Sequence, residues 1–566
     1  MASVALHWNW VPHTGVDLVQ DAAWLILIAV LVPLAREASS LLGDPESRSR
    51  VLLIAGAAVA ARLAVPLLPF NWYSGVSNVD LGGPIYSKAT TYMPLPNQLV
   101  TFTLGFYGIV AFNVLTCTAS AILAWHVARR AGYGERVAFL LGLAVAITPM
   151  YVRLSSSDST HMLALPLWLL AAAAMQRLVD GRGGILDQLL LFAAAVATCP
   201  VRVEAGLVLP AVALFVARDF AGLRRAWHAR RAWLPFVSGW LLGMTCSAVV
   251  QSNSWQYRLG QFDALTFAVQ LIARMLFVAN PHPLGWIPVV YVLLIWYYVY
   301  DALRRRDRAE VAATVLPFLI FSIPYAYSAT AVISELPGMA YGVSIDMFLL
   351  LGAAKGGALL YERWPAEMRR IPPRARMPVL VASAAILVVS LVVPYRWTYA
   401  YMEEYGFLSR SLPRRKAKVL AIWDATAPGG DYDCCLALPY PTFVGDFPDL
   451  EWQILGQANA DESQLRNLQF DYYYPGSLVA IDVDNLNSWF IGRMFPDPEM
   501  NARQQEPLRM LRKIDAFIRT TYPLEIRRQE TLPAHTFSWA PFRNDRMTLT
   551  LYQHAGELAA PGSPVP

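Results

Sequence analysis

The sequence predicts a polytopic α-helical membrane protein followed by an extracytoplasmic α/β domain, and three observations carry that prediction. Of its 566 residues, 56% are hydrophobic and only 15% charged, a balance that leaves too little charge to cover a water-soluble surface. Apolar runs of roughly 17–25 residues, the length that a ~30 Å hydrocarbon core asks of a helix, recur along the first part of the chain. After residue 396 the composition changes: charge and turn residues rise, and helix-like and strand-like pieces alternate. The implied domains are 1–396, in the membrane, and 397–566, folded outside it.

Taken in order, the amino terminus lacks the basic start and continuous apolar core of a cleavable signal, and Trp8 and Trp10 suit a membrane interface. About twelve spans follow from apolar length. They are 20–36, 51–68, 98–126, 136–153, 161–177, 186–199, 204–217, 233–251, 284–300, 311–326, 341–360 and 377–395. The stretch 186–217 reads either as two short spans or as one kinked hairpin around Pro200.

The arginines sort these spans. One set of alternate loops holds Arg36, Arg48 and Arg50, then Arg129, Arg130 and Arg136, then Arg177 and Arg182. The same set continues with Arg218 to Arg231, Arg304 to Arg308 and Arg363 to Arg376, whereas the other set holds only Lys88, Arg153, Arg202, Arg258 and Arg274. By the positive-inside rule the first set is cytoplasmic, which places the amino terminus and the stretch after Tyr395 outside. The net charge of +5 is therefore a topology signal, and no nucleic-acid partner is implied. The localisation expected is multi-pass, in the inner (cytoplasmic) membrane.

In the outer domain, Lys416–Ala425 and Leu508–Thr520 read as helices, and Cys434–Leu438, Leu478–Val483 and Met547–Tyr552 as strands. About 170 residues suffice for one independent core. Five cysteines are too few for a disulfide framework. Cys117, Cys199 and Cys246 read as small packing residues, and the vicinal Cys434–Cys435 as two free thiols or a strained disulfide.

On this topology a series of ionisable residues falls at or just under the outer face, where such groups are costly and tend to line cavities or pathways. Asp80 lies in the polar loop 70–98, after Ser77-Asn78-Val79 and before Gly82-Gly83-Pro84, with Tyr86, Lys88 and Tyr92 downstream. It is either an Asx-turn residue or a general base within reach of an acceptor hydroxyl. Asp158, in Ser155-Ser156-Ser157-Asp158-Ser159-Thr160 with His161 next, suits an N-cap, and a helix N-terminus also suits a phosphate. Arg202 and Glu204 interrupt an apolar hairpin; they are a structural pair or a phosphate clamp. Arg258, Arg274 and His282 sit in a loop with an amphipathic stretch and are weaker candidates for the same anion. Arg62 and Lys355, inside spans, are expected to snorkel or to pair within the bundle. Glu335 and Asp346 carry no assignment. A Walker loop and a dinucleotide fingerprint are missing from the sequence, and His/Cys metal spacing from its outer domain.

The outward loop with Asp80, the run Tyr92-Met93-Pro94-Leu95-Pro96, the Ser157-Asp158 segment before an apolar span and the Arg202-Val203-Glu204-Ala205-Gly206 hairpin together resemble the GT-C glycosyltransferases. That family includes protein mannosyltransferases and lipid A aminoarabinose transferases. The resemblance covers about residues 50–395 and the plan of a C-terminal extracytoplasmic domain. Asp80 stands between Val79 and Leu81 where the family often has an acidic pair, and the family's His-Pro-Pro-Leu-like element is Met93-Pro94-Leu95-Pro96. The resemblance implies an inverting transfer of a sugar from a polyprenyl-phosphate donor to an extracytoplasmic glycan, lipid or protein. Asp80 would be the base; Arg202, with Lys88 or Arg258, would hold the departing phosphate; Asp158, His161, Glu204, Tyr92, Arg274 and His282 would line the pocket. No cofactor is required, although Asp80, Asp158 and Glu204 leave room for a shared divalent metal. The competing reading is a flippase for a lipid-linked glycan, which predicts matching Gly/Pro-broken spans in two halves.

Overall fold

The computed structural model describes residues 16–65, 94–156, 160–201, 203–218, 222–224, 228–252, 267–268, 271–272, 288–331 and 346–392, together with five strands between residues 418 and 554. They fall into two compact units, one helical and one stranded.

Each of the twelve apolar runs carries helix. In chain order the elements are α1 (Val16–Gly43), α2 (Pro45–Leu63), α3 (Leu95–Arg130), α4 (Glu135–Ile147), α5 (Pro149–Ser155), a 3-10 turn (Thr160–Leu163), α6 (Ala164–Val179) and α7 (Ile185–Val201). There follow α8 (Val203–Val208), α9 (Ala211–Ala217), α10 (Arg230–Ser252), α11 (Val289–Arg304), α12 (Arg308–Ala331), α13 (Asp346–Arg370) and α14 (Pro373–Val392). Asp44 caps α2 by accepting the Ser47 backbone N–H at 3.0 Å, with Pro45 at the first helical position. Hydrogen bonds from Ser47, side chain first and then backbone, hold the Asp44 carboxyl below its ordinary value.

The run 136–153, expected as one span, is broken. Pro149 forces Thr148 into an extended conformation (φ −61°, ψ 125°), as the residue before a proline must be, and α4 and α5 meet at a 50° bend. The 186–217 stretch is a hairpin that breaks just after Pro200, as one of the two sequence readings expected. α7 runs through Pro200 to Val201, and α8 folds back so that the Trp240 indole N–H donates to the Gly206 carbonyl at 2.8 Å.

Among the described residues, Gly108–Arg130 and Pro373–Val392 are long and apolar enough to cross a membrane singly, and the bent α4–α5 pair makes a third; shorter apolar helices supply Leu18–Leu31, Ala164–Val179, Ile185–Val201, Ala205–Ala217 and Glu310–Ile320. The bundle's outside is apolar: Leu52 and Leu53 are 60% and 58% exposed, and α14 buries none of its residues. In water such surface would be a large liability; against lipid it costs nothing. The helical unit is that of a multi-pass membrane protein.

Close backbone approach at glycine holds two helix pairs. α7 and α10 run in the same direction, and a Cβ on Gly239 or Gly243 would lie 2.6 Å from the Phe192 carbonyl oxygen or 2.8 Å from that of Val196. α11 and α13 meet through Gly352 and Gly356, the latter against Leu294. Both pairs read Gly-x-x-x-Gly, the spacing that puts two small residues on one helix face. The core is aromatic at its centre: the Trp168, Phe215 and Phe348 rings pack edge-on at 5.3–6.2 Å, and the Tyr133 hydroxyl donates to the Phe215 carbonyl at 2.9 Å.

One end of the helical unit is tied by ion pairs. Glu135 meets Arg50 at 2.7 Å and Arg129 at 3.1 Å; Arg177 meets Asp187 at 2.7 Å; Asp301 is held by Arg305 at 2.7 Å and Arg363 at 2.5 Å. Burial alone pushes the Asp301 carboxyl up, and the hydrogen bonds from Arg363 and Arg305 more than reverse this, leaving it below its ordinary value. Lys355 pairs within the bundle: its ammonium donates to Thr314 Oγ1 at 2.7 Å and the Tyr298 hydroxyl at 3.2 Å, with Glu310 Oε1 at 3.5 Å.

The stranded unit is a mixed five-stranded sheet of β1 (Lys418–Trp423), β2 (Glu451–Gly456), β3 (Leu478–Ile481), β4 (Leu524–Pro533) and β5 (Arg546–His554), in the order β2-β1-β3-β5-β4. β1 is parallel to both neighbours, and β5 is antiparallel to β3 and β4. This corrects the reading of Lys416–Ala425 as a helix. Lys-Val-Leu-Ala-Ile-Trp is a short apolar run whose periodicity does not separate helix from strand, and a central strand flanked by parallel partners is expected to be continuously apolar. β3 and β5 meet the expected strands, whereas β2 and β4 were not read from the sequence. The expected strand Cys434–Leu438, with Cys435, and the expected helix Leu508–Thr520 lie outside the described residues.

Candidate functional site

The end of the helical unit opposite the ion pairs is where α2 and α5 finish and α13 begins. Its central feature is Arg62, only 3% exposed. Nε donates to Ser155 Oγ at 2.8 Å, one terminal nitrogen to the carbonyls of Ala58 and Ala146 at 2.7 Å each, and the other to Cys117 Sγ at 2.7 Å. Among the described residues no carboxylate pairs with it. Its charge is balanced instead by helix ends: Ala146 lies in the last turn of α4 and Ser155 closes α5, so the guanidinium sits at the negative poles of two helix dipoles. The 50° bend at Thr148 gives α4 and α5 separate ends, and both reach this guanidinium.

More polar groups surround it. Ser155 Oγ also donates back toward the Tyr151 carbonyl at 2.7 Å. Asp346, at the start of α13, is 1% exposed and lies with Cys117 within electrostatic reach of the Tyr151 hydroxyl. Arg153 is 6% exposed. Ser156 Oγ, next to Ser155, is buried without a hydrogen-bond partner among the described residues. Buried polar atoms are nearly always satisfied, so an unpaired one is a position where a ligand group or water fits.

Most of the residues predicted from sequence are not part of what is described. Asp80, Lys88, Tyr92, Asp158, Arg202, Arg258, Arg274, His282 and Glu335 lie outside the described residues. His161 is in the 3-10 turn Thr160–Leu163 and Glu204 in α8, with side chains outside the description. The Arg62–Ser155 bond nevertheless joins the helix ends from which two of the predicted segments depart: α2 precedes the Asp80 loop, and α5 precedes Ser157-Asp158. Sequence reasoning placed Arg62 within the bundle but missed Ser155 and Cys117 as its partners and left Asp346 unassigned. The only available signal was that each polar residue falls near the same end of an apolar run.

Among the described residues no three His, Cys, Asp or Glu side chains gather as metal ligands. Cys117, Cys199 and Cys246 are buried free thiols.

No protein-family model and no curated protein sequence matches the chain. Solved structures do match over most of its length. ArnT from Cupriavidus metallidurans in the apo state is 13% identical over 89% of this chain and 98% of that one, with a TM-score of 0.46. The same protein bound to undecaprenyl phosphate gives 14%, 88%, 97% and 0.43. The Archaeoglobus fulgidus oligosaccharyltransferase, in complex with Zn and sulfate, gives 12%, 77%, 68% and 0.39. Likeness at this level carries nothing about substrate or site residues.

Proposed function

We propose that this protein is an inverting membrane glycosyltransferase that moves a sugar from a polyprenyl-phosphate donor to an extracytoplasmic acceptor. Asp80 is the general base that takes the acceptor hydroxyl's proton as that oxygen attacks the anomeric carbon. Arg202, helped by Lys88 or Arg258, holds the phosphate that leaves, since fixed charge aimed at developing charge is the usual large contribution to such a step. In this reading the arginine-rich end is cytoplasmic, and the Arg62 end lies under the exoplasmic leaflet.

The observation that carries the reading is the buried Arg62–Ser155 bond, at 2.8 Å. It anchors the roots of the Asp80 and Asp158 segments to each other in the lipid-embedded bundle, at the end where the sequence topology gathers acid and guanidinium side chains. The resemblance to GT-C glycosyltransferases supports the same assignment.

The test is sugar transfer from radiolabelled polyprenyl-phosphate sugars by membranes containing the wild type, Asp80→Asn or Arg202→Ala. Transfer by the wild type with a drop of a hundredfold or more in Asp80→Asn is expected, about the low end of a general base's contribution. Equal transfer by Asp80→Asn refutes the base assignment. A wild type that never turns over such donors but moves them between leaflets is a flippase.

A further inference from the structure

The ion-paired end of the helical unit carries more positive charge than its acids neutralise. Glu46, Glu135, Asp187, Asp301, Glu310 and Glu362 are each already committed to an arginine or lysine of that end. Arg218, Arg304 and Arg306 keep guanidinium groups with no ion pair or hydrogen bond among the described residues.

Two of these three stand on unusual backbone. Arg218, just after α9, has φ 65°, and Arg306, just after α11, has φ 60°. The left-handed region at a helix end is glycine's place, and a side chain there is strained. What arginine adds at such a position is its charge. The Arg218 guanidinium carbon lies 5.8 Å from the centroid of the Tyr133 ring, and its Nη1 lies over Gly132, where a Cβ would meet it at 2.6 Å. Gly132 thus leaves the ledge on which the guanidinium rests. The same ring takes the Lys355 ammonium at 5.5 Å, so two cations lie against one aromatic ring. Lys355 is spoken for by Thr314, Tyr298 and Glu310; Arg218 is exposed and free to accept an outside anion. Lys355, against that ring, also reaches Glu310 Oε1 at 3.5 Å, which ties this corner to the first turn of α12, just after the Arg304–Arg306 turn. Below that turn, Tyr300 and Leu303 present apolar surface, 63% and 53% exposed.

We infer that the Arg218–Tyr133–Gly132 corner, continued by Arg304 and Arg306, is a docking surface for the phosphodiester headgroups of anionic phospholipids. The guanidinium fork matches two phosphate oxygens, and the apolar side chains beneath suit the acyl chains. A free phosphate would leave that apolar surface unused. The inference is independent of the glycosyltransferase reading and concerns the opposite end of the bundle.

The experiment reconstitutes the full chain in phosphatidylcholine nanodiscs holding a fixed fraction of phosphatidylglycerol and measures retained lipid by native mass spectrometry. Arg218→Gly should unfold no earlier than wild type in zwitterionic detergent, because it relieves the backbone, yet retain phosphatidylglycerol about fivefold less, the effect of one lost surface cation. Arg218→Lys should retain an intermediate amount. Arg306→Gly, on the same surface, should lose retention likewise, and it decides the matter if Arg218→Gly fails to fold. Inorganic phosphate should not displace the lipid. Undiminished retention in the glycine variants, equal retention of phosphatidylcholine by the wild type, or displacement by inorganic phosphate would each overturn the inference.

Discussion

Replacing Gly356 with alanine should destabilise the bundle, whereas the same change at its neighbour Gly357 should not. A Cβ at 356 would sit 2.0 Å from the Leu294 carbonyl oxygen and 2.6 Å from its carbon, both backbone atoms that no rotamer can move aside. Restoring ordinary contact parts α11 from α13 by about 1.4 Å, an overpacking of the kind that costs about 1–3 kcal/mol. The alanine returns up to about 1 kcal/mol of helix propensity, so a net loss of up to about 2 kcal/mol is expected. The same parting loosens the 2.5 Å Arg363–Asp301 pair and the 3.2 Å Lys355–Tyr298 bond, which cross this interface. At Gly357 the nearest atom is the end of the Leu140 side chain at 3.3 Å, which can give way. There the propensity gain stands alone, at about 0.5–1 kcal/mol of stabilisation. Thermal unfolding of both variants in one detergent, followed by the monodisperse fraction on size exclusion, reads the two signs. Shifts of the same sign at both positions, or an unaffected Gly356→Ala, would refute the close-packing argument.

Arg62→Gln should cost about 2 kcal/mol or more, since it removes charged hydrogen bonds from buried acceptors. Arg62→Lys should recover only part, because an ammonium cannot reproduce the planar fork; a wild-type unfolding temperature in Arg62→Gln would show that the four bonds contribute nothing. Asp301 has its folded carboxyl pKa below the ordinary 3.8, so its stabilisation is complete above that value and is lost as pH falls through the lower, folded value. Wild-type unfolding temperature should therefore drop below about pH 4 more steeply than that of Asp301→Asn, and parallel pH profiles would contradict the pairing. Glu362→Gln breaks only the Arg136 pair, in which both side chains are more than half exposed (60% and 56%), and should change stability by under about 0.5 kcal/mol. A larger loss in thermal unfolding would mean that this pair is not the surface contact it resembles.

Helix existence was legible in the described part of the first 396 residues because apolar length is a local property. Pro45 after Asp44 and Pro149 after Thr148 mark boundaries that a reader of sequence can place, although the bend at Thr148 went unread. Lys418–Trp423 was not legible: six apolar residues fit helix and strand equally, and only pairing with β2 and β3 decides between them. The Gly-x-x-x-Gly spacings at Gly239–Gly243 and Gly352–Gly356 are visible in the sequence, but not which carbonyls they meet. For the site, the sequence marked Asp80, Asp158 and Arg202, which lie outside the described residues.

By itself the sequence determined that the chain belongs in a bilayer, where its helices lie, and which helix ends carry arginine, because hydropathy and charge need no partner to act. The tertiary structure decided which polar residues become neighbours. Arg62 is 55 residues from Cys117 and 93 from Ser155, and nothing local to any of them specifies that the helix ends at Ile147 and Ser155 will supply the negative potential a buried guanidinium needs. That assignment exists only once the bend before Pro149 has turned α4 and α5 against α2.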